Sequence, residues 1–493
     1  METAAATAAS SRPGPPAATG PGSRVPGPAR RAAHRLRERT ADLRAPRFDP
    51  YWIAGFLFVA FAVLSYSRFR TLSISSWDLG IFEQAVRGYA HFRAPVVDLK
   101  GPGTNILGDH FSPVLIVLAP LYRLIPSPVT LLTAQAALFA VSAVPVTRAA
   151  ARHLGRGPGL ALGIAYGMSW GVQKAVDFDF HEIAFALPLI AFSLEAVLRG
   201  RWTAAVCWAL PLVLVKEDLG VTAAAIGALA LIRTRRASPL PIGLVAFGIT
   251  ATAVTLGLII PGFNGSGSYD YWSKLGGDGG GAPGIPPGTV LHTLLWILLP
   301  TTGLLALRSP LLLVALPTLG WRFLSHEPHY WGIDWHYNAV LMPVVFLALV
   351  DALAHTRVSP RPWLRAYALH LPTAVLAAAL ALTTTLPLSR LTEDATYRKP
   401  APVTAAEHLL DKIPDGASVE SDIRPLSRLT SRTRVFWMGD TRGIAPDYIA
   451  VQLRDGRTPQ QALADAAHRH PKSTYVPVGG AADLVVFHRT SAR

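Results

Sequence analysis

Apolar segments alternate with short polar connections along most of the chain. The hydrocarbon core of a bilayer is about 30 Å thick and a helix needs roughly 20 apolar residues to cross it, so the pattern predicts about eleven membrane-spanning helices. Some of these segments are shorter than 20 residues, so the pattern does not define their end residues. The predicted spans cover approximately residues 51–69, 128–147, 158–174, 183–199, 202–215, 219–233, 240–261, 289–306, 309–321, 338–354 and 366–388.

The basic residues of the chain indicate how these spans are oriented. Residues 1–48 are rich in Ala, Pro, Gly and Arg and have no apolar period, so we expect a disordered tail. The first apolar segment starts too far along the chain for a cleavable signal peptide, so we interpret it as a retained span. Arginines precede it and recur in every second connection, as in "RGRW" (199–202) and "RTRRAS" (233–238). The positive-inside rule then predicts a multi-pass plasma-membrane protein with a cytoplasmic N-terminus.

Two polar parts are predicted on the outer side. The first is a long loop, residues 70–127, in which the proline-interrupted run "SPVLIVLAPLYRLI" (112–125) is interpreted as an interfacial or re-entrant helix. The second is the segment 391–493, which alternates β-like and helical patterns and is expected to form a small extracytoplasmic α/β domain. Its β-like runs are "RVFWM" (434–438), "DYIAVQL" (447–453) and "DLVVFHR" (483–489), and its helical run is "TPQQALADAAHRH" (458–470).

The predicted fold class is therefore an α-helical polytopic membrane protein, with a membrane domain at 49–390 and a small C-terminal α/β domain. Composition agrees, because the chain is 51% hydrophobic and only 16% charged, with a mean hydropathy of +0.32. The formal charge of +15 comes largely from arginines in the tail and the inner connections, so we expect no nucleic-acid partner. The single cysteine, Cys207, excludes an internal disulfide.

The outer connections carry the ionisable clusters. In "DFDFHE" (177–182), an extended loop would project Asp177 and Asp179 to the same side, with His181 and Glu182 directly behind. Such a set is suited to a hard divalent cation, Mg or Mn, held by Asp177, Asp179 and His181, or to a hydroxyl-rich substrate. A solvated loop is the alternative, although two adjacent carboxylates repel each other unless a cation or proton intervenes.

Two further acidic positions allow both a structural and a functional interpretation. Asp78 in "SSWDLGIFEQAV" follows the first span, where Ser76 or Asp78 can cap a helix. Held at the membrane surface, Asp78 can equally act as a general base. In "KED", Lys216 can form a hairpin ion pair with Glu217 or Asp218, or it can bind a phosphate while an acid positions a sugar hydroxyl.

Other outer connections add imidazoles and aromatic rings. "GDHFSP" supplies Asp109 and His110, and "SHEPHYWGIDWHY" (325–337) supplies His329 and His336 among Trp and Tyr residues. These rings suit an aromatic belt at the interface or contact with a sugar face. The histidine spacings match no zinc motif, so zinc is not predicted. The chain has no Walker loop, dinucleotide motif or nucleophile elbow, and "GGDGGGAPGIPPG" (276–288) is interpreted as a flexible connection.

Several of these stretches resemble the bacterial and archaeal predicted membrane proteins grouped as domain of unknown function 2079, which in turn resemble the GT-C glycosyltransferase superfamily. The matching stretches are "WDLGIFEQAV" (77–86), "GDHFSPVLIVLAPLYRLIPSPVTLLTAQA" (108–136), "FHEIAFALPLIAFSLEA" (180–196) and "KEDLG" (216–220), and more loosely "ASVESDIRPLSRLTSRTRVFWM" (417–438).

GT-C enzymes carry an acidic residue in the first outer loop and often a second acidic motif in a later one. Asp78 matches the first position, and Asp177 and Asp179 match the second. The resemblance implies transfer of a sugar from a polyprenyl-phosphate carrier to an extracytoplasmic acceptor. It leaves the need for a divalent cation open. The predicted substrate-binding residues are Asp109, His110, His181, Glu182, Lys216, Glu217, Asp218, His329 and His336.

Two other functions fit the same pattern. One is a transporter or flippase of a lipid-linked or polar solute, which would place ionisable groups near the bilayer midplane rather than at helix ends. The other is a non-catalytic membrane anchor that displays the C-terminal domain. The clustering of ionisable groups at the predicted outer ends favours an enzyme over both.

Overall fold

The computed structural model describes residue 14 and residues 45–73, 77–274 and 284–490. The long helices and the sheet belong to one compact unit that begins at Asp49. The predicted disorder of residues 1–48, the predicted cap at Ser76 and most of the predicted flexible connection at 276–288 lie outside the described residues.

The helical part follows the apolar segments, and each predicted span contains helix. Prolines and short 3₁₀ turns divide several of these segments. The α-helices are α1 (Asp49–Arg70), α2 (Asp78–Ala90), α3 (Ala119–Leu124), α4 (Pro128–Leu154), α5 (Arg156–Gly167), α6 (Trp170–Asp177), α7 (Ala186–Leu198), α8 (Trp202–Ala209), α9 (Leu219–Thr234), α10 (Pro239–Val254), α11 (Ile260–Phe263), α12 (Pro287–Thr302), α13 (Leu316–Leu324), α14 (Leu341–Thr356) and α15 (Pro362–Thr383).

Four helical stretches among the described residues are long and apolar enough to cross a bilayer: Pro46–Arg70, Pro128–Leu154, Pro239–Phe263 and Pro362–Thr383. The remaining apolar helices are shorter. The predicted span 158–174, for example, is divided between α5 and α6. The protein is therefore a mostly helical membrane protein, and the number of eleven spans stays a prediction.

Small residues allow the helices to approach closely. A Cβ atom on Gly248 of α10 would lie 2.2 Å from the backbone oxygen of Gly220 of α9. Such contacts between backbones are how helices pack in membranes, where the hydrophobic effect does not drive association. The contact places Thr252 of α10 beside the turn that precedes α9, and its hydroxyl donates to the Glu217 backbone oxygen at 3.1 Å.

The run predicted as interfacial forms a 3₁₀ segment, Pro113–Leu118, followed directly by α3. Leu118 and Tyr122 are buried, whereas Val117, Leu121 and Leu124 are exposed. At 12 residues the two pieces together are too short for a span, since about 20 are needed. An exposed apolar face on a short helical element is typical of placement at the membrane interface.

The C-terminal segment contains a small mixed sheet, as the sequence predicts. Its strands are β1 (Ser418–Ser421), β2 (Arg434–Trp437), β3 (Tyr448–Gln452), β4 (Thr474–Ala481) and β5 (Leu484–Thr490), and their order in the sheet is β2-β1-β3-β5-β4. β1 pairs in parallel with β2 and β3, whereas β5 pairs antiparallel with β3 and β4. Among the strands, β1 and β4 are not anticipated from the pattern, and β4 contains a bulge beside Pro477. The helices of this segment are α16 (Asp394–Tyr397), α17 (Ala401–Leu410), α18 (Ile423–Leu429) and α19 (Pro459–Arg469).

Helix α2 of the first loop packs against this sheet in one shared hydrophobic core that includes Phe82 and Val435. The side-chain amide of Gln84 donates to the Val435 backbone oxygen at 2.9 Å. Arg434 forms a two-point ion pair with Asp98, with distances of 2.8 and 2.9 Å. The C-terminal segment thus fixes the position of α2, whose first residue is Asp78.

Candidate active site

A cavity of about 680 Å³ opens where the N-terminus of α2 meets the turn before α9. Loops 100–110, 178–181, 269–274 and 325–337 complete its wall, and Ile423 reaches it from the C-terminal segment. Most of the predicted site residues line this cavity although they are far apart in the sequence. They are Asp78, Asp109, His110, His181, Lys216, Glu217, Asp218, His329 and His336.

Asp177 and Asp179 lie elsewhere, and the expectation that they project together from an extended loop is wrong. Asp177 is the last residue of α6, and Asp179 has a left-handed backbone with φ of +76°. Asp177 Oδ1 accepts hydrogen bonds from Arg68 at 2.7 Å and Arg390 at 2.9 Å, and Asp179 Oδ1 lies 4.0 Å from Arg68 Nε. The arginines therefore offset the repulsion between the two carboxylates, which the sequence analysis expected a cation to offset. The predicted catalytic role of the two aspartates stays a prediction.

Two stacked imidazoles form part of the cavity wall. The ring centroids of His181 and His336 are 3.8 Å apart, and Phe178 packs against His336 at 4.4 Å. Burial lowers the pKa of both imidazoles well below the usual range, assisted for His336 by His181 itself and for His181 by Lys216. Both rings are therefore neutral at physiological pH.

Residues with a left-handed backbone conformation lie close to both histidines in the chain, and this conformation costs free energy. Trp335, directly before His336, has φ of +64°, and Asp179 precedes His181 by two residues. A left-handed conformation in a residue other than glycine costs about 1–3 kcal/mol and is found most often at functional sites. His336 is only 3% exposed, and neither of its ring nitrogens has a hydrogen-bond partner among the described residues. Each such buried polar atom costs about 1–3 kcal/mol.

Glu182 lies behind the imidazoles and is completely buried. Its Oε2 is 2.6 Å from His181 Nδ1, and its Oε1 is 3.5 Å from Lys216 Nζ. His181 Nδ1 accepts a hydrogen bond from the Ile183 backbone N–H at 3.5 Å, and neither carboxylate oxygen of Glu182 has a hydrogen-bond partner among the described residues. Burial raises the pKa of Glu182, and Lys216 opposes this effect. Lys216 thus belongs to a buried ion pair with Glu182.

Glu217 joins the first outer loop to the turn before α9. Its carboxylate accepts from the Phe111 backbone at 3.2 Å and from the Tyr269 hydroxyl at 3.0 Å, and it contacts His110 Nδ1 at 2.8 Å. Burial opposes its charge, but His110 and Lys216 lower the pKa of Glu217 to about 2. Its hydrogen-bonding capacity is used within the protein, so its role in the site is to position other groups.

Asp218 has a different environment although it follows directly in the chain. Burial, reinforced by the charge of Glu217 and opposed by Lys216, raises the pKa of the Asp218 carboxyl to about 6. Its Oδ1 has no hydrogen-bond partner within the described part of the chain. A carboxylate with a raised pKa in a cavity is suited to accept a proton near neutral pH.

The sequence interpretation missed the contribution of residues 268–274, "SYDYWSK". Lys274 Nζ lies 3.4 Å from the Tyr330 hydroxyl and 4.6 Å from the centroid of the Tyr271 ring. Tyr271 also donates to Asp109 at 3.3 Å, and Lys100 pairs with Asp109 at 3.2 Å. Three aromatic rings and a lysine within seven residues were the available signal. The sequence analysis assigned no role to this segment.

The described residues contain one group of three or more metal-ligating side chains, formed by Asp78, His181 and His336. One ligand atom from each lies within 4.8 Å of the others. The predicted set of Asp177, Asp179 and His181 is not among such groups. His329, which is 68% exposed, instead contacts Glu327 at 2.5 Å.

Comparison with solved structures supports a known fold. The chain is similar to ArnT from Cupriavidus metallidurans, whose crystal structure was determined with bound undecaprenyl phosphate. The match has a TM-score of 0.53 and 15% sequence identity, and it covers 88% of this chain and 97% of ArnT. At this identity the likeness shows a shared fold. No curated protein matches the sequence.

The family comparison covers most of the chain. The model for the predicted membrane proteins of domain of unknown function 2079 matches residues 68–486, which include every residue of the cavity wall named above. The matched region also takes in the sheet as far as β5. The chain belongs to this family of predicted membrane proteins, domain of unknown function 2079.

Proposed function

We propose that this protein is a membrane glycosyltransferase that moves a sugar from a polyprenyl-phosphate donor to an acceptor outside the cytoplasm. One observation carries the proposal: in an ArnT-like fold, a single cavity brings cationic, acidic and aromatic side chains together. ArnT itself binds undecaprenyl phosphate. A volume of about 680 Å³ falls within the range of small-molecule sites.

The departing phosphate needs positive charge, and Lys274 is the best candidate to supply it. Lys100 and Lys216 also line the cavity, but they are paired with Asp109 and Glu182, respectively. Lys274 has no carboxylate within ion-pair distance among the described residues, and its neighbours are Tyr271 and Tyr330. An ammonium group held against aromatic faces stays available for an anion, so we assign the donor phosphate to Lys274.

The acceptor must lose a proton as it attacks, and we assign this proton to Asp218. In the proposed step the acceptor oxygen bonds to the anomeric carbon, and the bond from that carbon to the phosphate oxygen breaks. The electron pair leaves with the polyprenyl phosphate, and the hydroxyl proton passes to the Asp218 carboxylate. With a pKa of about 6, most Asp218 carboxylates are ionised at neutral pH, as a general base requires.

Aromatic rings form the wall on which a sugar can lie. Trp272, Trp321, Tyr330, Trp335 and Tyr337 all line the cavity. Flat apolar ring faces complement the C–H face of a pyranose, while neighbouring polar groups bond its hydroxyls. This arrangement favours a sugar over a purely apolar solute.

The proposal is tested in cells by comparing envelope glycans and polyprenyl-linked sugars in a deletion strain and its complemented parent. Asp218→Asn and Asp78→Asn should behave like the deletion, with the donor accumulated and a glycan missing, at unchanged membrane abundance. Asp465→Asn, an exposed change on α19, is the matched control and should restore transfer. Identical glycans and donor pools in the deletion and parent strains would exclude the transferase.

A donor-titration assay then tests Lys274 separately. Lys274→Gln should raise the apparent KM for the polyprenyl-phosphate sugar, and Lys274→Arg should recover part of the affinity because it keeps the charge. An unchanged KM in Lys274→Gln would remove this residue from phosphate binding.

A further inference from the structure

We propose that Asp78, His181 and His336 bind one divalent transition-metal ion in the cavity wall, with Zn²⁺ as the best match to the ligand set. The three residues come from the N-terminus of α2, the loop after α6 and the loop before α14. Their ligand atoms lie within 4.8 Å of one another. Zinc bonds of about 2.0–2.2 Å place tetrahedral ligands roughly 3.4 Å apart, so zinc binding requires side-chain shifts of about 1 Å and rotation of the two imidazoles out of their stack, in which the ring planes are 27° apart.

His336 provides the observation that points to a ligand. The ring is 3% exposed, it faces the cavity, and both nitrogens lack a hydrogen-bond partner among the described residues. Buried imidazoles normally have such a partner. A neutral imidazole presents one unshared nitrogen lone pair, and a metal ion satisfies it without any other protein group.

His181 lies beside a buried carboxylate of the kind that supports metal-bound histidines. Its Nδ1 lies 2.6 Å from Oε2 of the buried Glu182, and neither oxygen of that carboxylate has a hydrogen-bond partner among the described residues, so rotation of the imidazole would let Nδ1–H donate to Oε2 and leave Nε2 for the ion. A carboxylate behind a histidine fixes the tautomer and raises the basicity of the ligating nitrogen. Glu182 is therefore a positioning residue for the ion and does not ligate it.

The ligand set selects among metals. Two imidazoles and one carboxylate suit Zn²⁺ and related first-row ions, whereas Mg²⁺ prefers oxygen ligands alone. Three protein ligands would leave a fourth position open, as in catalytic zinc sites, and all three ligands line the cavity. Resting on the proposed function, this open position would accept an oxygen of the sugar-phosphate donor.

Metal content of the full-length protein in detergent tests the site without any transfer assay. Protein purified without chelator, and protein stripped and reloaded with Zn²⁺, should each hold about one zinc per chain by elemental mass spectrometry. His181→Ala, His336→Ala and Asp78→Asn should lose it. Glu182→Gln should weaken zinc binding roughly 10–100-fold, as removal of a supporting contact does. His329→Ala, from the same loop and cavity as His336, is the matched control and should keep the zinc.

Thermal unfolding separates loss of the site from loss of the fold. Added Zn²⁺ should raise the unfolding midpoint of the stripped parent and of His329→Ala, but not that of His336→Ala, while the metal-free midpoints stay similar. The proposed site would be refuted if the parent held no stoichiometric zinc, or if His329→Ala lost as much zinc as His336→Ala. Transfer activity without metal would refute this inference and leave the proposed function intact. Bound zinc without transfer activity would support the metal site and refute the proposed function.

Discussion

Replacing Lys216 with methionine should destabilise the protein strongly, because it removes the cation beside a buried carboxylate. Glu182 is completely buried, and Lys216 Nζ is 3.5 Å from its Oε1. Burial opposes the charge of Lys216, but the attraction of Glu182 and Glu217 outweighs it and raises the pKa of the ammonium. Lys216 is therefore charged at every pH at which the protein can be handled, and methionine keeps the length of the side chain but not the charge.

The size of the effect follows from the geometry. At 3.5 Å and an effective dielectric constant of about 20, the pair interacts by about 5 kcal/mol. In the variant, Glu182 can instead take up a proton, which from its ordinary pKa of 4.5 costs about 3 kcal/mol at pH 7. We therefore expect Lys216→Met to lose about 3–5 kcal/mol, in agreement with the cost of breaking buried ion pairs. The loss should be smaller at pH 5, where protonation of Glu182 is easier.

The assay is thermal unfolding of the detergent-solubilised chain, followed by tryptophan fluorescence. Lys216→Met should lower the midpoint by at least about 3 °C. The double variant Lys216→Met/Glu182→Gln should recover much of the lost stability, because position 182 then carries no buried charge that needs a cation. A double-mutant cycle should give a coupling of about 2 kcal/mol or more. An unchanged midpoint in Lys216→Met, or no recovery in the double variant, would refute the buried ion pair.

Two further predictions concern packing and pH. Gly248→Ala should lower the unfolding midpoint by an amount equivalent to about 1–3 kcal/mol, since its Cβ would lie 2.2 Å from the Gly220 backbone oxygen. Gly243→Ala, on the same helix with no atom within 4 Å, should not, and equal effects would contradict the close crossing. Burial, partly offset by hydrogen bonds, raises the pKa of Glu83 to about 7, so the folded state keeps a proton that the unfolded chain releases near 4.5. Glu83 should then contribute a loss of about 2 kcal/mol as pH rises from about 5 to 7, and Glu83→Gln should remove this part of the pH dependence in a series of melting curves, while Asp218, whose pKa is raised to about 6, keeps its own part.

The sequence predicted the helical part well because apolar segments need little context to be recognised. It also predicted that residues such as Asp78, Lys216 and His336 would meet, since alternate connections of a polytopic protein lie on the same side. The cavity in which they meet agrees with that reasoning. The number of spans could not be predicted in the same way. Prolines and 3₁₀ segments divide several apolar segments into helices that are shorter than a membrane span.

The conformation of "DFDFHE" could not be predicted from its own residues. Arg68, which binds Asp177, lies 109 residues earlier in the chain, so no local pattern reveals the pairing. The group formed by Asp78, His181 and His336 was missed for the same reason, since its members share no local spacing of the kind that zinc motifs have. Tertiary contacts decided which acidic residues face the cavity and which are held by arginine.

The packing of α2 against the sheet changes how a truncation must be interpreted. Removal of the segment after residue 390 would expose the apolar side of α2 and take away the anchor of Asp98. Asp78, at the start of that helix, would lose its support together with them. The phenotype of a strain carrying the shortened chain would therefore reflect the loss of the cavity, and it would not show whether the sheet binds a partner of its own.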